Sequence, residues 1–199
     1  MTARTSLVAA GACFAVLTLA VVVLGTLPGE AGARQALLAL ATPAVVKVLG
    51  VVNYAGSWKL LMPATLLLFV AFPRARERWW VWIALMVVAP AAEGVLKIVV
   101  ARARPEDVSM GFPSGHATAA AAFFGAVICL AGSLPTPART LVRVGATLVI
   151  VLVAVARIIL RAHWPGDSLA GIALGLALAS AAVELSGHQG SSARTTGSG

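Results

Sequence analysis

Charge is what this chain has least of. Only 11% of its 199 residues are Asp, Glu, Lys or Arg, where an ordinary soluble domain carries about 25%. Apolar residues make up 60% and mean hydropathy is +0.95. No core of this size needs or can hide that much apolar surface, so disorder, a collagen-like chain and a soluble globule are excluded. Cysteine is nearly absent. Cys13 and Cys129 each sit inside an apolar stretch, which excludes a disulfide framework and a metal-ligand spacing. Acidic residues number seven. They form no cluster to hold Mg²⁺, and no Cys/His set exists for Zn²⁺. No internal repeat is present. The net charge of +8 would point to nucleic acid in a soluble protein. Here sparse cations punctuate apolar segments, which is the pattern of a membrane protein, and a nucleic-acid partner is not expected.

What is present is six apolar stretches. Residues 5–27 are an uncharged run of 23 residues, where a transmembrane helix needs about 20. The run exceeds the apolar region of a signal peptide and is read as the first span. Residues 35–51 are apolar but interrupted by Pro43 and Lys47, and the turn residues Asn53, Gly56 and Ser57 follow; this reads as an interfacial or re-entrant segment. A short second span is expected over 56–72, with Trp58 and Lys59 at its interfacial end. A tight loop holds Arg74, Arg76 and Arg78, and Trp79, Trp80 and Trp82 follow as an aromatic belt. A third span then runs to Val100, with Pro105 ending its helix. The fourth covers 116–134, the fifth 144–160 and the sixth 165–185. The expectation is an all-α bundle of six transmembrane helices, with an interfacial helical segment between the first two, forming one domain over 1–185. Residues 186–199, rich in Gly, Ser and Thr, read as a flexible tail. Gly171 and Gly175, four apart, fit close helix packing within the chain. With the N-terminus cytoplasmic, seven of the fifteen cations lie inside. The triple-arginine loop carries that orientation.

Charges beside membrane spans are functional candidates by default, and in this orientation they gather at one level. Lys97 and Arg104 are seven apart and so share a helix face; the plain alternative is a pair of snorkelling cations. Phe112-Pro113-Ser114-Gly115-His116 opens the fourth span, with Ser114 as N-cap and the Gly115 and His116 amides free to meet an anion. The plain alternative is a capped helix start. Arg157, His163 and Asp167 surround the break between the last two spans. From the first helical turn Asp167 reaches back to His163, fixing its tautomer and strengthening the other ring nitrogen as a nucleophile; the alternative is a charge complementing the helix dipole. Together these groups suit a phosphoryl group: cations and amides for its oxygens, one His to attack, one to protonate the leaving oxygen. The inferred chemistry is metal-free, without cofactor, through a covalent intermediate. Glu93 lies one helical turn before Lys97, in the favourable order for an ion pair. It either holds the ammonium towards the phosphate or is a packing-level pair. Arg102 and Arg161 read as meeting headgroups or water, or else a second phosphate. Trp164 reads as an interfacial anchor, and His188 as idle.

These groups, in this order, resemble the signature of the type 2 phosphatidic acid phosphatase superfamily: K-x6-R-P, P-S-G-H, and S-R-x5-H-x3-D. The chain supplies Lys97…Arg104-Pro105, Pro113-Ser114-Gly115-His116, and Ala156-Arg157…His163…Asp167. The resemblance implies that His163 becomes phosphohistidine, Asp167 orients it, and His116 is the general acid. It implies that Lys97, Arg104, Ser114, Gly115 and Arg157 hold phosphate oxygens. Ala156 stands where the family has Ser, so that hydroxyl's role is not carried over. The family's bacterial members place this site on the extracytoplasmic side, which agrees with cytoplasmic N- and C-termini.

The expected activity is therefore hydrolysis of a lipid phosphomonoester or diphosphate, the partners being the lipid substrate and membrane lipids. Polyprenyl diphosphate (undecaprenyl diphosphate), phosphatidic acid and phosphatidylglycerol phosphate are the substrates the resemblance implies. The compact segment between Pro105 and Pro113 and the flanking cations incline towards the diphosphate. Two alternatives stay open: a phosphotransferase delivering to an alcohol, and a non-catalytic lipid-binding or transport protein on the same scaffold. A vanadium haloperoxidase is disfavoured by the six spans.

Overall fold

A computed structural model describes residues 2–187. Among the described residues there are eight α-helices and three short 3₁₀ turns, and no strand beyond one isolated bridge between Ala103 and Met110. The helices are α1 (Ala3–Leu24), α2 (Glu30–Leu38), α3 (Pro43–Asn53), α4 (Trp58–Ala71), α5 (Trp79–Val100), α6 (Gly115–Leu130), α7 (Thr136–Ile159) and α8 (Pro165–Ser186). Allowing α5 and α6 their adjoining 3₁₀ turns, α1, α5, α6, α7 and α8 are long and apolar enough to cross a membrane. With 14 residues, α4 spans about 21 Å at 1.5 Å per residue, short of a hydrocarbon core of about 30 Å. The segment expected to be interfacial or re-entrant is two helices, α2 and the stretch Pro43–Gly56, bent by 112°. A multi-pass helical bundle is what the apolar runs required.

Helix α6 is the axis of the bundle. Much of its first four turns is Ala, Gly and Thr, so neighbours approach closely. Helix α8 meets it through its own small residues. A Cβ on Gly171 would sit 2.6 Å from the Ser114 carbonyl oxygen, and one on Gly175 would sit 2.5 Å from that of Thr118. The core lies beside this contact, where Trp82, Leu85 and Met86 of α5 meet Leu61 and Leu68 of α4, Phe123 and Ala126 of α6, and Ala179 and Val183 of α8. Val16, Leu19 and Val23 of α1, and Val95, Ile98 and Val99 of α5, are exposed apolar residues. Cys13 and Cys129 are unpaired.

Four readings of the sequence are corrected. Trp82 belongs to the core and is fully buried, so the aromatic belt is Trp79 and Trp80, which are exposed. Helix α5 ends at Val100, with Ala101 in the left-handed region at φ 50°. That is well before Pro105, so Arg104 shares no helix face with Lys97. The fifth span starts earlier than expected, because Pro135 precedes α7 as N-cap and Pro137 occupies its first turn, where proline is tolerated. Arg139 and Arg143 therefore lie on the helix. Their Nε atoms donate to the Leu134 carbonyl at 3.3 Å and the Ile128 carbonyl at 3.2 Å. The latter places a cation at the carbonyl end of α6, where the helix dipole favours it. Finally, Ser186 closes α8. The remainder of the expected tail, from residue 188 and including His188, lies outside the described residues.

Candidate active site

The end of α5, the starts of α6 and α8 and the end of α7 converge at one pole of the bundle. Each candidate side chain is set there by a local device. After α7 the chain turns sharply: the amides of Ala162 and His163 both donate to the Arg157 carbonyl, at 3.0 and 3.2 Å. His163 is thereby tucked in, at 2% exposure. Pro165 opens α8, and Asp167 Oδ2 accepts the Trp164 amide at 3.0 Å, the acidic half of a capping box. That hydrogen bond aims the carboxylate back at the ring. His163 Nδ1 lies 3.5 Å from Asp167 Oδ2, longer than a formed hydrogen bond but close enough for the carboxylate to face that nitrogen, which leaves Nε2 as the nitrogen for chemistry.

Ser114 is the N-cap residue of α6 and is fully buried. Its amide donates to the Asp167 carbonyl at 2.9 Å, which joins the starts of α6 and α8. Its Oγ has no hydrogen-bond partner within the protein, so it is free to donate to or accept from a bound group. His116, in the first turn, is within electrostatic reach of Arg157, His163, Lys97 and Arg104. Arg104 arrives on a loop, not a helix. Its amide donates to the Ser109 carbonyl at 3.1 Å and Gly111 donates to the Arg102 carbonyl at 2.7 Å, a narrow hairpin that lays Arg104 beside Asp167. A Cβ on Gly111 would touch both, at 3.1 Å from Arg104 Cγ and 3.0 Å from Asp167 Oδ2. Arg157 Nη1 donates to Asn53 Oδ1 at 3.0 Å.

Glu93 forms the expected ion pair with Lys97. Its carboxylate also lies against the start of α6, since a Cβ on Gly115 would stand 2.7 Å from Glu93 Oε1. The expectation for Arg102 fails, while Arg161 is exposed as expected and has an acidic partner besides. Arg102 is buried, not among headgroups: Nη1 donates to Asp167 Oδ1 at 2.6 Å and Nη2 to Glu30 Oε2 at 2.5 Å. Arg161 is exposed but donates to Glu106 at 2.9 Å, and Glu106 pairs with Arg34 as well. Trp164 is half-buried, with the guanidinium carbons of Arg34 and Arg102 5.6 and 5.5 Å from its ring. It holds arginines and is no simple membrane anchor. Burial pushes His163 below its ordinary value, helped by Arg157 and Arg104 and opposed by Asp167. Among the described residues no group of three or more His, Cys, Asp or Glu is arranged to hold a metal ion.

The motif order, the helical bundle and this convergence agree with the family model described as the PAP2 superfamily, which matches residues 78–190. The chain belongs to the PAP2 superfamily. Its fold is similar to a solved structure titled as the first transmembrane PAP2 type phosphatidylglycerolphosphate phosphatase from Bacillus subtilis, at TM-score 0.75 and 24% identity over 90% of this chain and 95% of that one. The chain matches none of the curated proteins.

Reasoning from motifs missed three residues that the structure brings to this candidate site. Glu30 and Arg102 share the buried cluster with Asp167, and Asn53 holds Arg157. Glu30 carried a usable signal: a lone carboxylate just after an apolar span, in a chain with seven acids, is a functional candidate. Asn53 carried none, since its place after an apolar run reads equally as a turn.

Proposed function

We propose that this chain is an integral membrane phosphatase that hydrolyses a lipid phosphomonoester or diphosphate through a phosphohistidine on His163, without metal or cofactor. The supporting observation is the buried His163 ring, with a carboxylate at Nδ1 and cations within electrostatic reach. His163 Nε2 attacks the terminal phosphorus and its bond to the leaving oxygen breaks, that oxygen being the lipid's in a phosphomonoester and the bridging oxygen of the lipid monophosphate in a diphosphate. His116 gives its proton to that oxygen. Water then attacks phosphorus and gives a proton to His116, the bond from phosphorus to Nε2 breaks, and inorganic phosphate leaves the restored His163. Lys97, Arg104, Arg157, Ser114 and the Gly115 amide hold the nonbridging oxygens, whose charge grows in the transition state. Glu93 holds the Lys97 ammonium in place.

The pole bearing the site faces the extracytoplasmic side and the triple-arginine loop faces the cytoplasm, in keeping with the positive-inside tendency. The preference for a diphosphate loses one support, because Arg102 and Arg161 already have acidic partners. The substrate is left to a panel: phosphatidic acid, phosphatidylglycerol phosphate and a polyprenyl diphosphate in detergent micelles, each with chelator. Wild type releases inorganic phosphate from at least one with chelator present, and His163→Ala does not. Equal release from both proteins overturns the phosphohistidine, and inhibition by chelator overturns the metal-free mechanism. Transfer to an added alcohol in excess of phosphate release identifies a phosphotransferase instead. Glu93→Gln lowers turnover if it positions Lys97; unchanged turnover reduces it to packing.

A further inference from the structure

Asp167 is buried to 0% exposure, and Arg102 and Glu30 beside it to 9% and 5%. These charges come from distant parts of the chain: Arg102 is 72 residues from Glu30 and 65 from Asp167. The guanidinium lies between the two acids. Nη1 reaches Asp167 Oδ1 at 2.6 Å and Glu30 Oε1 at 3.3 Å, and Nη2 reaches Glu30 Oε2 at 2.5 Å. Glu30 is itself fixed by backbone on two sides, accepting from the Leu27 amide at 3.0 Å and the Gly166 amide at 2.7 Å. The approach at Gly166 is close: a Cβ there would lie 2.6 Å from Glu30 Oε1, so the carboxylate would have to shift. The Trp164 ring, 5.5 Å from the Arg102 guanidinium carbon, adds a cation–π contact.

We propose that Glu30 and Arg102 are positioning residues that hold Asp167, and through it His163, for attack on phosphorus; this rests on the function proposed above. The charge balance explains why three groups are present. A guanidinium on Asp167 alone would draw off the negative charge that the developing imidazolium needs. The second acid restores it, leaving the cluster at a net charge of −1. Asp167 Oδ1 is thus pinned by Arg102 while Oδ2 is kept for the Trp164 amide and His163.

The charged and titratable groups around His163 are Asp167 from α8, Arg157 from α7, His116 from α6, Arg104 from the α5–α6 loop, and Lys97 from α5 beyond His116. Glu30 and Arg102 act on it from behind Asp167. Removing the Glu30 charge moves the acid limb of the rate profile to lower pH, because the imidazolium loses support. Removing the Arg102 charge moves it to higher pH. The double variant has a net charge of −1 again and returns towards wild type.

The test uses the full chain in detergent. Phosphate release from phosphatidic acid and a polyprenyl diphosphate is followed between about pH 5 and 8 for wild type, His163→Ala, Glu30→Gln, Arg102→Met and the double variant. Each single variant is expected to lose about 10–100-fold in kcat, the size of effect seen when an outer hydrogen-bond partner of a reactive group is removed, with KM little changed and acid limbs displaced in opposite directions. Wild-type kcat and acid limb in a folded Glu30→Gln protein overturn the proposal. So do activity losses in both singles with an unmoved acid limb, which mark a structural role alone. If Arg102→Met does not fold, Glu30→Gln carries the test. Equal release from wild type and His163→Ala refutes the proposed function itself, an outcome separate from any result with Glu30.

Discussion

As the proposed nucleophile, His163 has to be neutral, and its surroundings favour that form. The lowering of its pKa comes first from burial and then from Arg157 and Arg104, with Asp167 opposing. The acid limb of phosphohistidine formation is therefore expected below His163's ordinary value of 6.5, and a rate profile of the first turnover checks it. The same shift bears on stability. The unfolded chain takes up the proton at higher pH than the folded one, so stability rises as pH climbs through the interval between them and is lost as pH falls. A second residue-scale prediction concerns Gly115. Alanine there would press on the Glu93 carboxylate, at 2.7 Å from Oε1, and would displace the partner of Lys97. Gly115→Ala is expected to lower kcat at least tenfold, or about 1.4 kcal/mol of transition-state stabilisation, while Glu93→Gln combined with it adds little further loss. Additive losses in this double-mutant cycle would break the link. Ala156 is also clearer: it is fully buried in an apolar cluster with Leu49 and Ile159, where a methyl group suits the packing. His163, Asp167, His116 and Lys97 were legible because motif spacing carries them. Glu30 and Asn53 were not, because the first meets Gly166 across 136 residues and the second meets Arg157 across 104. No local pattern encodes such a contact.

Helices were legible as apolar runs, but their ends were set by details the runs do not contain. Lys97 and Arg104 look like neighbours on one helix face. The chain instead leaves the helix at Ala101 and brings Arg104 back through a hairpin closed by the Ala103–Met110 bridge. The functional grouping survives while the reason for it changes from helical periodicity to loop geometry. That loop is fastened to its surroundings by Glu106, which takes Arg34 from α2 and Arg161 from the turn after α7. Arg34 first, then Arg161, holds the Glu106 carboxyl below its usual range, but the group is exposed and such pairs contribute little in water. Glu106→Gln is therefore a mild change. The α6–α8 contact is a demanding one. Gly175→Ala would drive a methyl group into the Thr118 carbonyl oxygen at 2.5 Å and the Ala122 amide at 2.7 Å, both backbone atoms that cannot swing aside. A loss of about 1–3 kcal/mol is expected from such overpacking, read as a lower melting temperature in detergent. An unchanged melting temperature would mean that the two helices separate freely.

At the scale of the molecule, scarcity of charge becomes a sorting of charge. Five of the seven acids, Glu30, Glu93, Glu106, Asp107 and Asp167, lie at or beside the site, and four of them meet a cation there. The opposite pole carries Arg74, Arg76 and Arg78. Val21, near the end of the 22-residue α1, packs with Phe112 and Ala170 beside the site, so the first helix begins towards the opposite pole. The two poles must then face different compartments, and the proposed topology sets the site outside. This can be read without any substrate. With Cys13 and Cys129 replaced by Ala, single cysteines at Val108, a loop residue with 95% exposure, and at Glu77 in the arginine loop would report the two poles. A membrane-impermeant maleimide applied to intact cells is expected to label Val108→Cys and to spare Glu77→Cys until the membrane is opened. The reverse pattern would place the site in the cytoplasm. His163 and its partners would keep the same chemistry, but only lipid phosphates in the inner leaflet could reach them.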